Sequence, residues 1–325
     1  MKSAEIDLDA INKVVGICYA GRSGSYLLSN LLDGHSELLC CPPHALHNSP
    51  FLIYQIIEKI KSEDIQSVEK IVYMLIEAHP FLFQDADHSL LLPGYKNKEI
   101  GVDKTKFFDF AVSLLKTHFA SGKTAYPKTL FALIHWAYEA CKKNPPKVRA
   151  PSIVWQRHMP MENDHLEFLS NEFNNFVLLT CVRQLEVALD SHLAHHINER
   201  PFGTQEQIFS TLFGQFFNSI SRKKQIFAQY AVRFEDMHLN TELVMNKICN
   251  LLDIGFEDIL TQTTMDGLPF YFYKNGKKIT GLNKNLATEV ETTVLTETDK
   301  SFIQVLLNKF LKAYGYEAPS SEISE

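Results

Sequence analysis

"KVVGICYAGRSGSYLLSNLLDG", residues 13–34, is the stretch on which the fold turns. Lys13 to Ala20 is a short apolar run with the length of a buried strand. Further on, Leu27, Leu28, Leu31 and Leu32 recur at helical spacing, with Gly34 placed to stop the helix. Between them lies a turn of Gly21, Arg22, Ser23, Gly24, Ser25 and Tyr26. Strand, glycine turn and helix open an α/β sheet, and such sheets bind ligands at the carboxyl ends of their strands. A helix start exposes unpaired N–H groups and the positive end of the helix dipole, so the turn is an anion site. Gly21 and Gly24 let the backbone approach an oxyanion closely. Ser23 and Ser25 add hydroxyls, and Arg22 adds a cation that can fork onto two oxygens. This is not a Walker A loop, whose pattern is G-x-x-x-x-G-K-S/T. Gly24 is followed by Ser25 and Tyr26, and the lysine that a P-loop-type kinase needs is missing.

Working outward, "SELLCCPPH" reads as a second short strand ending at Pro42 and Pro43. Residues 50–145 carry apolar positions at three- and four-residue spacing in four successive segments. They read as a mainly helical insertion or cap over the sheet. "SIVW" (152–155) and "NNFVLLTCV" (174–182) read as strands, and "LEVALDSHLAHHI" as a helix. "QEQIFSTLFGQFFNSISRKKQIFAQY" reads as a long amphipathic helix, and "AVRFEDM" as a strand end running into a loop. "NTELVMNKICNLLDI" is a helix that Asn240 or Thr241 can cap. "DGLPFYFYKNGKKITGLNKN" reads as a basic loop and "DKSFIQVLLNKFLKAYG" as a closing helix, with the last ten residues frayed. Strands alternating with helices predict a parallel sheet with helices on both faces, here one domain over residues 1–325.

The composition of the 325 residues is that of a soluble globular protein: 45% hydrophobic, 22% charged, 11% aromatic. A net charge of −6 argues against a general nucleic-acid binder, which needs a basic face. Six cysteines with no C-x-x-C pair read as reduced thiols in a cytoplasmic setting. "MKSAEIDLDAINK" carries acids and no apolar run, so it does not read as a signal peptide. No run of 18 apolar residues predicts a membrane span.

Two later segments bear on the same crevice. In "VLLTCVRQLEVALDSHL", Arg183 stands at a strand end, and Ser191 follows eight residues on, two turns into a helix. In "YAVRFEDMHLNTELVMNKICNLLDIGF", Glu235 and Asp236 read as turn residues that anchor the loop and cap backbone donors, rather than as an acid–base pair.

Taken in order, these segments resemble the sulfotransferases that use 3′-phosphoadenosine 5′-phosphosulfate (PAPS). "AGRSGSYLLSNLLDGHSEL" is similar to that family's 5′-phosphosulfate loop, "VRQLEVALDSHL" to its 3′-phosphate motif, and "VRFEDM" to its Arg-Phe/Tyr-Glu-Asp-Leu signature. The resemblance covers residues 13–35 and 150–255, and nothing between 50 and 145. It implies a P-loop-like sulfotransferase fold and sulfuryl transfer to a hydroxyl or amine acceptor without a metal. Arg22, Ser23, Gly24 and Ser25 would hold the 5′-phosphosulfate, and Arg183 and Ser191 the 3′-phosphate. The late "KNGKKITGLNKN" is similar to the family's basic loop, but has two more residues between its glycines and lacks its Asp-Trp. Lys277 and Lys278 are its candidates for the 3′-phosphate.

For the base that takes the acceptor's proton, "SIVWQRHMP" offers His158, similar in context to the catalytic histidine of cytosolic relatives. His44 in "CCPPHALH" is the rival. Gln156 stands where those relatives have Lys; Arg157 or Lys128 are the candidates to compensate. Tyr126, Lys128 and Trp136 could line an acceptor pocket, although core aromatics at helical spacing is the favoured reading. His47, His195 and His196 read as bland helix or loop residues, and His35 as the end of the first helix. The acceptor, whether carbohydrate, lipid-linked sugar, phenol or small metabolite, has no legible code. A sulfotransferase-like protein that binds a nucleotide without turnover is the alternative from another class.

Overall fold

β1 (Lys13–Tyr19) forms the middle of a five-stranded sheet in which every pairing is parallel. The computed structural model describes residues 6–19, 22–43, 45–88, 100–142, 152–157, 163–198, 203–204, 206–208, 210–211, 214, 228–274, 277–288 and 292–316. With β2 (Leu38–Cys40), β3 (Ser152–Gln156), β4 (Asn175–Val182) and β5 (Ala228–Arg233), the spatial order is β2-β3-β1-β4-β5. The order turns outward on both sides of β1, so the chain reverses direction at the carboxyl end of that strand. This is where a ligand crevice forms in an open parallel sheet.

The period of two along a strand sorts its side chains into two layers. Val14 and Cys18 of β1, Ile153 and Trp155 of β3, and Phe176 and Leu178 of β4 enter one core. Val15, Ile17 and Tyr19, with Val154, Leu179 and Cys181, enter the other. Strands buried on both faces have the near-continuous apolar sequence seen here.

The first core is closed by α2 (Ser49–Ser62), α3 (Val68–Ala78), α4 (Lys104–Ala120), α5 (Pro127–Cys141) and α6 (Asn163–Glu172). The helical block expected as an insertion therefore shares one core with a face of the sheet. Every residue of α5 from Thr129 to Glu139 is buried, as befits a helix enclosed on all sides. The second core is closed by α1 (Ser25–Leu32), α8 (Phe234–Leu239) and α9 (Thr241–Leu252). α7 (Leu185–Asn198) and α11 (Glu297–Ala313) pack together in a third, smaller cluster.

Four local expectations are corrected. The long helix expected up to Tyr230 lies mostly outside the described residues, and its final "AQY" belongs to β5. "FEDM" is not a loop but α8, entered from Arg233 in extended conformation. Glu235 and Asp236 stand in its first turn, where the helix dipole favours carboxylates. Asn240 occupies the N-cap of α9 but makes no side-chain cap bond.

The expected basic loop is instead two hairpins, β6 (Thr264–Met265) with β7 (Leu268–Pro269), and β8 (Tyr271–Lys274) with β9 (Lys277–Thr280). It is followed by the single-turn α10 (Asn285–Thr288). Asp266 (φ 55) and Gly267 (φ 71) supply the two positive dihedrals that a tight hairpin turn demands.

A buried charge cluster ties this region together. Lys142 Nζ lies 2.8 Å from Glu139 Oε2, 3.3 Å from Asp33 Oδ1 and 3.9 Å from Asp266 Oδ1, and it donates to the Cys40 carbonyl at 2.8 Å. The Tyr138 hydroxyl donates to the Asp266 carboxylate at 2.8 Å. The six cysteines are free thiols. Among the described residues, no helix is long and apolar enough to cross a membrane.

Candidate functional site

The β1–α1 turn is pinned by its neighbours on both sides. Ser23 is 1% exposed, and its hydroxyl donates to the Cys181 carbonyl of β4 at 2.7 Å. Ser25, also buried, accepts from Gln156 Nε2 of β3 at 3.0 Å. The ends of three adjacent strands thus converge on one turn. Gly24 begins α1 in the left-handed region (φ 90), and a Cβ there would lie 2.5 Å from Phe234 Cδ2 of α8. Only glycine permits both the dihedral and the approach. The Ser23 hydroxyl, expected as a ligand donor, already has a carbonyl to serve, so what this residue offers an anion is its backbone N–H.

Two guanidinium groups flank the last residue of β1. Burial pushes the Tyr19 phenol up to about 12, while Arg22 and Arg157 pull it down. Arg22 is exposed at the turn, whereas Arg157 is buried at the end of β3. Tyr26, in the first turn of α1, packs with Ile100, Met265 and Phe270.

Arg183, just past β4, lies half-buried with its guanidinium carbon 4.4 Å over the Phe234 ring. Phe234 therefore touches both the glycine turn and Arg183, and joins two segments far apart in the sequence into one site. Arg183 Nη2 donates to the Leu286 carbonyl at 3.4 Å. Among the described residues, no carboxylate forms an ion pair with Arg183. Burial chiefly, and Arg22 in part, lower its pKa, while Glu235 and Tyr316 oppose this.

Glu235 acts as an anchor: Oε1 accepts from the Gln184 backbone N–H at 3.0 Å and Oε2 from the Tyr316 hydroxyl at 2.8 Å. Ser191 is half-buried on α7, and its neighbour Asp190 holds the backbone N–H groups of Thr293, Val294 and Leu295 at 2.9, 2.8 and 2.7 Å.

Gly21, His44 and His158 lie outside the described residues, but the flanks of both candidate bases meet. Trp155 Nε1 donates to the Leu46 carbonyl at 2.7 Å, so the segment after β2 lies against the end of β3. Trp155 also stacks on His165, with ring centroids 5.9 Å apart, and Arg157 Nη1 donates toward the same imidazole, 2.7 Å from Nε2. His165 escaped the sequence reading, because nothing in "NDHLEF" distinguishes it from a surface histidine.

Lys278 Nζ sits 4.0 Å over the Tyr271 ring, on the wall of an open cavity of about 480 Å³ shared with Leu268, Pro269 and Phe270. The late segment reaches the Arg183 region through Leu286 and Asn283 instead. Lys277 lies in β9, with its side chain outside the description.

Lys128 is at the wrong end of the sheet to compensate for Gln156. It donates to the Asp9 carbonyl at 3.2 Å and to Asn12 Oδ1 at 2.8 Å, at the amino end of β1. Trp136 is buried in the first core, whereas Tyr126 is exposed. His35 closes the α1 corner, with Nε2 donating to the Gly255 carbonyl at 2.7 Å and Nδ1 accepting from the Glu37 N–H at 3.1 Å.

No family model matches the chain. No curated protein matches it by sequence. Among solved structures, it is similar to the sulfotransferase domain of the Synechococcus PCC 7002 olefin synthase. The TM-score is 0.52 at 16% identity, covering 95% of this chain and 96% of that one. It is also similar to the sulfotransferase domain of the curacin biosynthetic pathway, with TM-score 0.49, 17% identity and coverage of 95% and 99%. For sulfotransferase STF9 from Mycobacterium avium the values are 0.44, 12%, 94% and 78%. The likeness is one of architecture: the chain has the α/β fold of sulfotransferase domains, with its parallel sheet between helical layers.

Proposed function

We propose that this chain is a sulfotransferase that moves the sulfuryl group of PAPS onto a hydroxyl, or an amine, of a small-molecule or glycan acceptor. The observation that carries the reading is the meeting of the Gly24 turn and Arg183 on Phe234. A half-buried guanidinium that forms no ion pair among the described residues lies there, in a chain with the sulfotransferase fold. Cationic groups and backbone N–H donors gathered in one crevice fit a ligand with phosphates at two ends.

In this reading, the backbone N–H groups of the turn, Arg22 and the Ser25 hydroxyl take the 5′-phosphosulfate. Arg183 takes the 3′-phosphate, with Ser191 and Lys277 as further candidates. Lys278, on the wall of the hairpin cavity, is the weaker of the two late lysines. The acceptor oxygen forms a bond to sulfur as the bond from sulfur to the bridging phosphate oxygen breaks, and the acceptor's proton passes to His158 or His44. Charge develops on the leaving phosphate, where Arg22 offsets it; positioning and electrostatics dominate such loose transfers. Gln156 supplies a neutral amide at the turn, so cationic assistance rests on Arg22 and on the buried Arg157.

Calorimetric titration with 3′-phosphoadenosine 5′-phosphate against AMP tests the reading. Micromolar binding that needs the 3′-phosphate and weakens about tenfold or more in Arg183→Ala is expected, since a charge-assisted contact is lost. Sulfuryl transfer should persist in EDTA, where a magnesium-dependent kinase stops. Equal binding of the two nucleotides would overturn the assignment.

A further inference from the structure

His238 lies on α8, one helical turn after Phe234, and is 4% exposed. Its ring packs edge-on against Phe234 at 4.5 Å, beside Arg183, which lies 4.4 Å over the same phenyl ring. The Asn283 backbone N–H donates to His238 Nδ1 at 3.1 Å. An Nδ1 that accepts leaves the proton of the neutral imidazole on Nε2. That Nε2–H is buried and has no hydrogen-bond partner among the described residues. An unmet buried donor is costly, and one in a native structure calls for a partner such as a water, an ion or a ligand.

The same short segment covers both groups: Asn283 is bonded to His238, and the Leu286 carbonyl is bonded to Arg183 at 3.4 Å, the outer edge of a hydrogen bond. That cover is thin, because α10 has no buried residue. Two donors that both lie against the Phe234 ring are therefore covered by one short segment, which holds Arg183 through a long, weak hydrogen bond. Burial, and Arg183 in second place, push the His238 pKa down to about 4, so the ring is a neutral donor at physiological pH.

We propose that His238 Nε2–H is a second donor to the anion that Arg183 holds, a phosphate monoester on a nucleoside, with a phosphate oxygen replacing the Leu286 carbonyl. The identity of that monoester as the 3′-phosphate rests on the function proposed above; the donor pair does not.

The test is calorimetry of 3′-phosphoadenosine 5′-phosphate and of AMP with His238→Phe, His238→Asn and His238→Gln, each first checked for a wild-type thermal transition. Gln places an amide N–H where Nε2 stands, whereas Asn reaches only the Nδ1 position. Loss of one donor to a charged phosphate should weaken the bisphosphate by about tenfold in the Phe and Asn variants, with AMP unchanged and Gln close to wild type. A bisphosphate affinity unchanged in folded His238→Phe, or an equal loss for both nucleotides, overturns the role of His238 while leaving the sulfotransferase reading intact. If the wild type itself fails to prefer the bisphosphate, that reading falls. The donor pair is then judged by titrating inorganic phosphate and following the His238 Nε2 nitrogen resonance. A saturable shift lost in Arg183→Ala sustains it, and no shift overturns it.

Discussion

Gly24 concentrates several demands in one residue. It needs a left-handed dihedral, it starts α1, and it allows Phe234 to approach to a distance no side chain tolerates. Gly24→Ala should therefore lose about 2 kcal/mol or more from the left-handed dihedral and the overpacking together, read as a lower midpoint in thermal unfolding. An unchanged midpoint would mean that Phe234 moves freely, and would weaken its role as the bridge between the turn and Arg183. The glycine and the flanking serines were legible in the sequence because turn chemistry restricts residue type. Which partner each serine takes was not legible. Ser23 and Ser25 are chemically alike, and only the packing of β4 and β3 against the turn gives one a carbonyl and the other an amide.

Among the elements, the sheet strands and helices such as α2 to α5 were readable because their periodicity is strong, whereas α6 and the hairpins were missed because their signals are short. Asp266-Gly267 and Asn275-Gly276 are the dipeptides that favour tight hairpin turns, yet the surrounding lysines made the segment read as a solvated loop. The β6–β7 turn is also held by a device that no local pattern encodes. Asp266 reaches the Tyr138 hydroxyl and the Gly101 N–H at 2.8 and 2.9 Å, and shares Lys142 with Asp33 and Glu139. Three carboxylates around one ammonium leave excess negative charge, and burial pushes Glu139 up to about 7. A carboxyl raised in the folded state binds its proton more tightly there, so this group's contribution to stability falls as pH rises from about 4.5 to about 7. Lys142→Met removes the cation that these three carboxylates share and should cost about 3–5 kcal/mol at pH 8. The deficit should shrink toward pH 5, where the carboxyls take up protons. Denaturant titrations at the two pH values check this, and a pH-independent deficit would show that the cluster does not titrate.

For the molecule as a whole, two layers of unlike chemistry flank one sheet. The first core holds a pair of buried histidines, His79 and His135, each donating from Nδ1 to the carbonyl four residues earlier at 2.8 Å. Burial pushes both down to about 4. The folded state thus binds fewer protons than the unfolded chain between pH 6.5 and 4. The stability they contribute is present above about 6.5 and is lost as pH falls through 4, up to about 3 kcal/mol apiece. His135→Leu should flatten the fall of the thermal midpoint between pH 7 and pH 5, and an undiminished slope would place the acid sensitivity elsewhere.

The layered plan itself was legible from alternating strands and helices. The meeting of the segment after β2 with the end of β3 was not, because it is made by tertiary contacts such as that of Trp155 with the Leu46 carbonyl. Those contacts also settle what light can report. The chain has two tryptophans, Trp136 and Trp155, and both belong to the first core. Phe234, beneath Arg183, belongs to the second. Native ultraviolet emission is therefore a one-sided witness: Trp155, stacked on an imidazole and bonded to the loop after β2, registers events on the face of the sheet that carries the first core. A ligand arriving over Phe234, on the other face of the sheet, would need a label of its own to be seen.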